Sequence, residues 1–229
     1  MNALTDCHCH IDGAAKRHFI CEPASAAPGE YDVVFYGFHP WQANEIDLES
    51  GMAELRRRIA ANRDAGVGEI GLDRLRDKNI SPKMRELFAA QLQIAAEFAR
   101  PVVLHGAKCW GEVYKACLEY KDKIPAFLFH GFSRSGGLIP DIVALGGYIS
   151  VGPALLNDHA VNYRRMVTSI PIERLLVESD ATSLEKGSDT VLDKIADLLA
   201  SLRNIEREKL GMMLEENAAR FIQTISHGK

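Results

Sequence analysis

Six side chains able to ligate a divalent cation recur along the chain, each closing or near the close of an apolar run. They are His8 and His10 in LTDCHCHID, Glu69 in VGEIGLD, His105 in PVVLHG, His130 in AFLFHGF and Asp180 in RLLVESD. Imidazole and carboxylate together suit zinc, manganese and similar divalent metals. Residues two apart on a strand share a face, so His8 and His10 can hold one ion. On that alternation Cys7 and Cys9 turn the other way, toward the helices, as buried packing. Glu69 stands in an apolar run, where an unpartnered carboxylate is costly, and its two oxygens can bridge two ions. Asp180 can bind an ion and accept a proton from the attacking water. Asp180 and Glu69 are therefore the candidate catalytic residues. Glu178 shares the face of Asp180 and either orients a ligand or sits in an interior ion pair. Asp73 follows the Glu69 run and either supports the site or caps a turn, the cap being favoured. The pattern predicts a metal-dependent hydrolase with one or two divalent ions, such as zinc or manganese, and a metal-activated water.

Around these residues lie groups suited to a phosphate-bearing substrate. His39 and Trp41 in GFHPWQA follow another strand-like run, Trp41 being a possible stacking surface for a base but more readily a packing residue. Lys16, Arg17, Arg74, Arg76, Lys78, Lys108, Arg134 and Lys186 are expected on loops that ring the site. Cations around a dimetal centre suit an anionic substrate. His39, Arg74, Lys108 and Arg134 are the candidate substrate contacts.

The elements that must position these groups alternate. Short apolar runs at Asp32–Phe38, Val67–Leu72, Pro101–Leu104, Ala126–Phe129, Gly147–Val151 and Arg174–Val177 have the pattern of strands buried on both faces. Between and after them, helical spacing marks about Leu48–Ala65, Pro82–Ala99, Trp110–Tyr120, Ser135–Leu145, Asp158–Ser169, Ser188–Leu202 and Ile205–Ile225. Ser81 and Pro82 stand where an N-cap and first helical residue belong. Such alternation implies a parallel sheet. Chemistry at the end of nearly every strand favours a TIM-type (β/α)8 barrel over an open sheet with one switch point. One region is short: His10 to His39 leaves room for one minimal strand near Ile20–Glu22 and a loop, PASAAPGE, against about 25–30 residues for a βα unit. A barrel truncated or distorted near its second βα unit is expected, as one domain over 1–229.

Composition excludes several classes. With 47% apolar residues the 229-residue chain can bury a core, and no apolar run approaches the ~18 residues of a membrane helix. The N-terminus lacks a secretory pattern. Five cysteines without framework spacing fit a reducing cytoplasm. A formal net charge of −4 leaves any nucleic-acid contact to a local basic patch. The oligomeric state is open, with a monomer slightly favoured.

In order, DCHCHID, GFHPWQA, GEIGLD, VVLHG, FHGFS, VESDAT and ENAARF resemble the TatD family of metal-dependent hydrolases, from Asp6 to about Phe221. The resemblance implies an amidohydrolase-like barrel with a centre of two divalent ions, magnesium, manganese or zinc, and a deoxyribonuclease trimming ends, often 3′ to 5′. By resemblance, His8, His10 and Asp180 hold the first ion, and Glu69 bridges to a second held by His105 and His130. Departures lie in the half-length region after HxH, in ESDAT where the family has ETDAP, and in FHGFSRS where it has FHCFSG. All six presumed ligands are spared. The implied substrate is DNA or a small phosphoester, with an amide or ester of a small molecule as the alternative.

Overall fold

The computed structural model describes residues 4–10, 17–21, 33–76, 78–133, 136–182 and 189–226. Eight strands run parallel in sequence order: β1 Thr5–Cys9, β2 Arg17–Cys21, β3 Val33–Tyr36, β4 Gly66–Asp73, β5 Val102–Ala107, β6 Phe127–Phe129, β7 Tyr148–Val151 and β8 Leu175–Val177. The ring closes just past the last strand, where Asp180 N–H donates to the His8 carbonyl (3.0 Å) and His10 N–H to that of Ala181 (2.9 Å). The Asp6 carboxylate locks the seam further, accepting from Ser179 N–H at 2.9 Å and from its hydroxyl.

Seven helices accompany the strands among the described residues: α1 Leu48–Ala61, α2 Pro82–Glu97, α3 Trp110–Leu118, α4 Ile139–Ala144, α5 Val161–Thr168, α6 Asp189–Arg203 and α7 Arg207–Ser226. Helix α2 starts where the spacing predicts, with Ser81 Oγ accepting from Met84 N–H at 3.1 Å and Pro82 in the first turn. It buries Met84, Leu87, Phe88, Leu92 and Ala95 against the sheet. The predicted segment after Ser135 is a 3-10 turn followed by the short α4.

The compressed region keeps its strand. β2 begins at Arg17, earlier than expected, so no strand is missing; the shortening falls on the connections. The β1–β2 pairing is irregular between Asp6 and Cys9. The expected loop PASAAPGE lies outside the described residues. Two further expectations are corrected here. Arg17 opens β2 opposite Thr5, at the amino end of the strands and away from the ligand-bearing mouth. Cys7 does not turn to the helices: it groups with the interior residues Phe19, Phe35, Val103, Leu128 and Leu176. The register irregularity breaks the strict alternation on which the expectation rested.

Helix α7 closes the amino end of the barrel. The Phe221 ring lies 5.7 Å from Phe19, 6.2 Å from Phe35 and 5.5 Å from Tyr148. Those partners belong to β2, β3 and β7, and a helix residue can reach all three only through an open end of the ring. Glu215 anchors the helix by accepting from Thr5 N–H at 2.6 Å, and Asn217 donates to the carbonyls of Ile172 and Leu175.

Candidate metal centre

The carboxyl ends of β1, β4, β5, β6 and β8 bring all six sequence-predicted ligands to one mouth. Glu69 is central. Its Oε1 lies 2.6 Å from both His105 Nδ1 and His130 Nε2, while its Oε2 lies 3.5 Å from both His8 Nε2 and His10 Nε2. Asp180 Oδ1 stands 3.5 and 3.7 Å from the same His8 and His10 nitrogens. One carboxylate thus faces two imidazole pairs, one oxygen each. Among the described residues, potential ligand atoms within 4.8 Å of one another fall into three sets: His8–His10–Asp180, His8–Glu69–His130 and His39–Glu69–His105.

Local backbone aims these groups. The β4–β5 register shifts between Val67 and Ile70, the stretch that carries Glu69, and such bulges re-aim side chains beside active sites. Gly71 faces the β5 backbone so closely that a Cβ would fall 2.0 Å from the His105 carbonyl oxygen, at φ +152°. Asp180 takes a left-handed conformation, φ +50°, tolerated best by Asn, Asp and Gly.

The surroundings support the ligands. His105 Nε2 is 3.0 Å from Asp73 Oδ2, which also accepts from Trp41 Nε1 at 2.9 Å. Asp73 Oδ1 meanwhile accepts from the backbone of Leu75 and Arg76. The turn cap favoured from sequence is present, and the same carboxylate also grips a predicted ligand. A proton on His105 Nε2 leaves Nδ1 free as a donor toward a cation. Glu178 Oε1 faces His130 Nδ1 at 3.6 Å while its Oε2 accepts from the Ser150 hydroxyl. His8 Nδ1 is 3.4 Å from Cys21 Sγ.

Charge is strongly skewed. Burial works to raise the Glu69 carboxyl, but His130, His8 and His105 outweigh it and hold it well below its usual range. Burial and the neighbouring His8 work to lower His130, yet Glu69 and Glu178 raise it to about 9. Asp180 is also lowered, against the effect of burial, by the hydrogen bonds of His10 and His8. The cluster therefore favours positive charge in its midst. His8 Nε2 is fully buried with no hydrogen-bond partner among the described residues, and it points at two carboxylate oxygens 3.5 Å away. A cation between them would satisfy all three atoms, so the nitrogen and oxygen donors present fit divalent metals.

The predicted substrate contacts divide. His39 enters the site, its Nε2 3.8 Å from Glu69 Oε1 and its ring 4.6 Å from that of His105. Burial lowers it to about 4, so it is neutral at ordinary pH. Arg74 is engaged with Glu112, which also takes Arg85 at 2.8 Å. Lys108 is exposed at φ +56° at the end of β5. Arg134, with Lys16 and Lys186, lies outside the described residues. Trp41 is half exposed, with Arg76 5.6 Å above its ring. Gln91 was visible in the sequence only as part of the inward face of α2. It clamps the segment before His39, accepting from Phe38 N–H at 2.7 Å and donating to the Phe38 carbonyl at 3.0 Å. A buried amide inside an apolar helix face was its one signal.

Eight parallel strands with such a donor set at their carboxyl ends have the architecture of barrel metallohydrolases. The family model described as TatD related DNase matches residues 20–223. The 3′-5′ ssDNA/RNA exonuclease TatD of Dickeya dadantii is 29% identical over 206 residues, 84% of this chain and 77% of that protein. The metal-dependent hydrolase YabD of Bacillus subtilis is 26% identical over 204 residues, 85% of this chain and 79% of YabD. The crystal structure of YJJV, a TatD homologue from Escherichia coli, matches with a TM-score of 0.82 at 20% identity, over 95% of this chain and 97% of that one. The chain belongs to the TatD-related DNase family. It is a metal-dependent hydrolase of the nuclease type that cleaves ester bonds.

Proposed function

We propose that this chain is a two-metal phosphodiesterase that shortens single-stranded DNA or RNA from the 3′ end. The observation that carries the reading is the division of Glu69, Oε1 toward His105 and His130 and Oε2 toward His8 and His10. His8, His10 and Asp180 would hold one ion, His105 and His130 the other, and Glu69 both. When bound, such ions lower the pKa of water and neutralise charge on a phosphoryl group.

The chain's own residues do the rest. Asp180, with its side chain 52% exposed toward the mouth, orients the attacking water and takes its proton as the new P–O bond forms. It passes this proton to the departing oxygen as the old P–O bond breaks, or to solvent. Asp73 and Glu178 keep His105 and His130 oriented. His39, neutral and beside Glu69, donates to a phosphate oxygen, and Lys108 adds charge at the rim. All six central side chains come from one chain, which supports a monomeric catalytic unit over 1–229. All five cysteines are buried, and their lack of framework spacing supports a reducing, cytoplasmic setting. Among the described residues no helix is long and apolar enough to cross a membrane.

The test is incubation of 5′-labelled single-stranded DNA and RNA with manganese, wild type beside Glu69→Gln. A ladder shortening from the 3′ end with wild type alone is expected. Intact oligonucleotides alongside metal-dependent cleavage of a lactone or cyclic amide would overturn the nuclease reading.

A further inference from the structure

Two clefts meet beside the proposed centre. The first, about 560 Å³, has Asp180 and Glu178 in its wall and extends past Pro153 and Leu156 to Tyr163. The second, about 550 Å³, continues from Tyr163 to Asn162, Arg165 and Ser169 on and after α5. Tyr163 and Ser133 line both. Each is within the roughly 300–1,000 Å³ that takes a drug-sized molecule, so together they accommodate more than one nucleotide.

The residues along this path differ in chemistry in a useful order. Tyr163 is half-buried and packs against the core. Its ring is therefore held by the core on one side while lining open space on the other. Arg165 is exposed and has no ion pair among the described residues. Its neighbour in sequence, by contrast, is tied down: Arg164 donates to Asp158 at 3.0 Å and to the Leu155 carbonyl at 3.3 Å. On a chain of net charge −4, an uncompensated cation in a cleft continuous with the centre is a local exception.

We infer that the two clefts form one track for a single nucleic-acid strand, with Tyr163 stacking a base and Arg165 neutralising a backbone phosphate beyond it. This rests on the nuclease reading. A fixed aromatic face is sequence-tolerant because every base has a π-face. The track leads away from Asp180 on the β6–β8 side, opposite His39 and Trp41, so the strand enters over α5.

The test uses binding and turnover separately. Fluorescence anisotropy of a labelled oligothymidylate on chelator-treated protein is measured against salt for wild type, Tyr163→Ala, Tyr163→Phe and Arg165→Ala. Wild type is expected to bind. Tyr163→Ala weakens binding about tenfold, while Tyr163→Phe, which keeps the ring, stays within about twofold of wild type. Arg165→Ala reduces the salt slope by about 0.7, the contribution of one phosphate contact on a single strand. With manganese, Tyr163→Ala and Arg165→Ala raise KM for the oligonucleotide more than they lower kcat. No binding by wild type, or variants that bind as wild type does, would overturn the track even if cleavage proceeds. Weakened binding in the variants without cleavage by any protein would uphold the track and sink the nuclease reading. Arg165 is on the surface, so its replacement tests the idea even if Tyr163→Ala fails to fold.

Discussion

The barrel interior has two storeys built from the same strands. Along β5, Val103 belongs to the lower storey and His105 to the upper; beyond β6, Leu128 gives way to His130. On β7, Tyr148 lies below Ser150, and after β8, Leu176 lies below Glu178 and Asp180. Each step is two residues, one repeat of the pleat. The lower storey is apolar and sealed by Phe221; the upper holds carboxylates and imidazoles that satisfy one another only in part. Stability is thus concentrated at one end of the strands and chemistry at the other, the division general to this barrel class. The two ends are expected to fail in different ways when altered.

The largest effect is expected at Glu69. Glu69→Gln keeps the shape but removes the charge shared by both imidazole pairs, and kcat should fall by at least about 10²–10³-fold, with the circular dichroism spectrum unchanged. A fall of less than tenfold would remove Glu69 from the centre of the site. In the lower storey, Phe221→Ala should cost about 3–5 kcal/mol of stability, read by denaturant unfolding. Its specific activity below the melting transition should stay near wild type. A loss of activity equal to that of Glu69→Gln would show that the storeys are not separable.

Smaller effects are expected from residues that serve the upper storey indirectly. Asp73→Asn keeps its one oxygen for the turn only by setting an amide NH2 against the Trp41 Nε1–H and His105 Nε2. Metal affinity by titration calorimetry should fall about 10–100-fold; an unchanged affinity would leave Asp73 as a turn cap only. The smallest effect is on pH dependence. His130 must lose its proton to ligate, and without metal it holds that proton up to about pH 9. Metal binding at pH 7 should therefore release protons, and affinity should rise by up to about tenfold per pH unit from 7 toward 9. Proton uptake on metal binding would reverse the assigned sign.

Much of the fold was legible because the signals are local. Continuous apolar runs and helix faces with period near four located six strands, β3 to β8, and the helices to within a few residues. The Ser81–Pro82 start of α2 was readable as a cap, since capping involves neighbours in sequence. β2 was placed late, at Ile20–Glu22, because its first residues, Arg17 and His18, interrupt the apolar pattern although His18 is buried. Cys7 was turned to the wrong side because alternation assumes regular pairing, and the irregularity between Asp6 and Cys9 is a property of two strands together.

The sequence by itself determined the donor types, their placement near strand ends and the alternation that brings strand ends to one rim. Those properties follow from side-chain chemistry and from backbone periods of two and 3.6 residues, which need no knowledge of distant partners. Tertiary structure alone decided that Glu69 splits its oxygens between two imidazole pairs, that Asp73 links Trp41 to His105, that Gln91 fixes the approach to His39 and that Phe221 seals the far end. Each of these pairs residues tens to hundreds of positions apart. Such contacts are set by barrel closure and packing, and spacing along the chain carries no record of them.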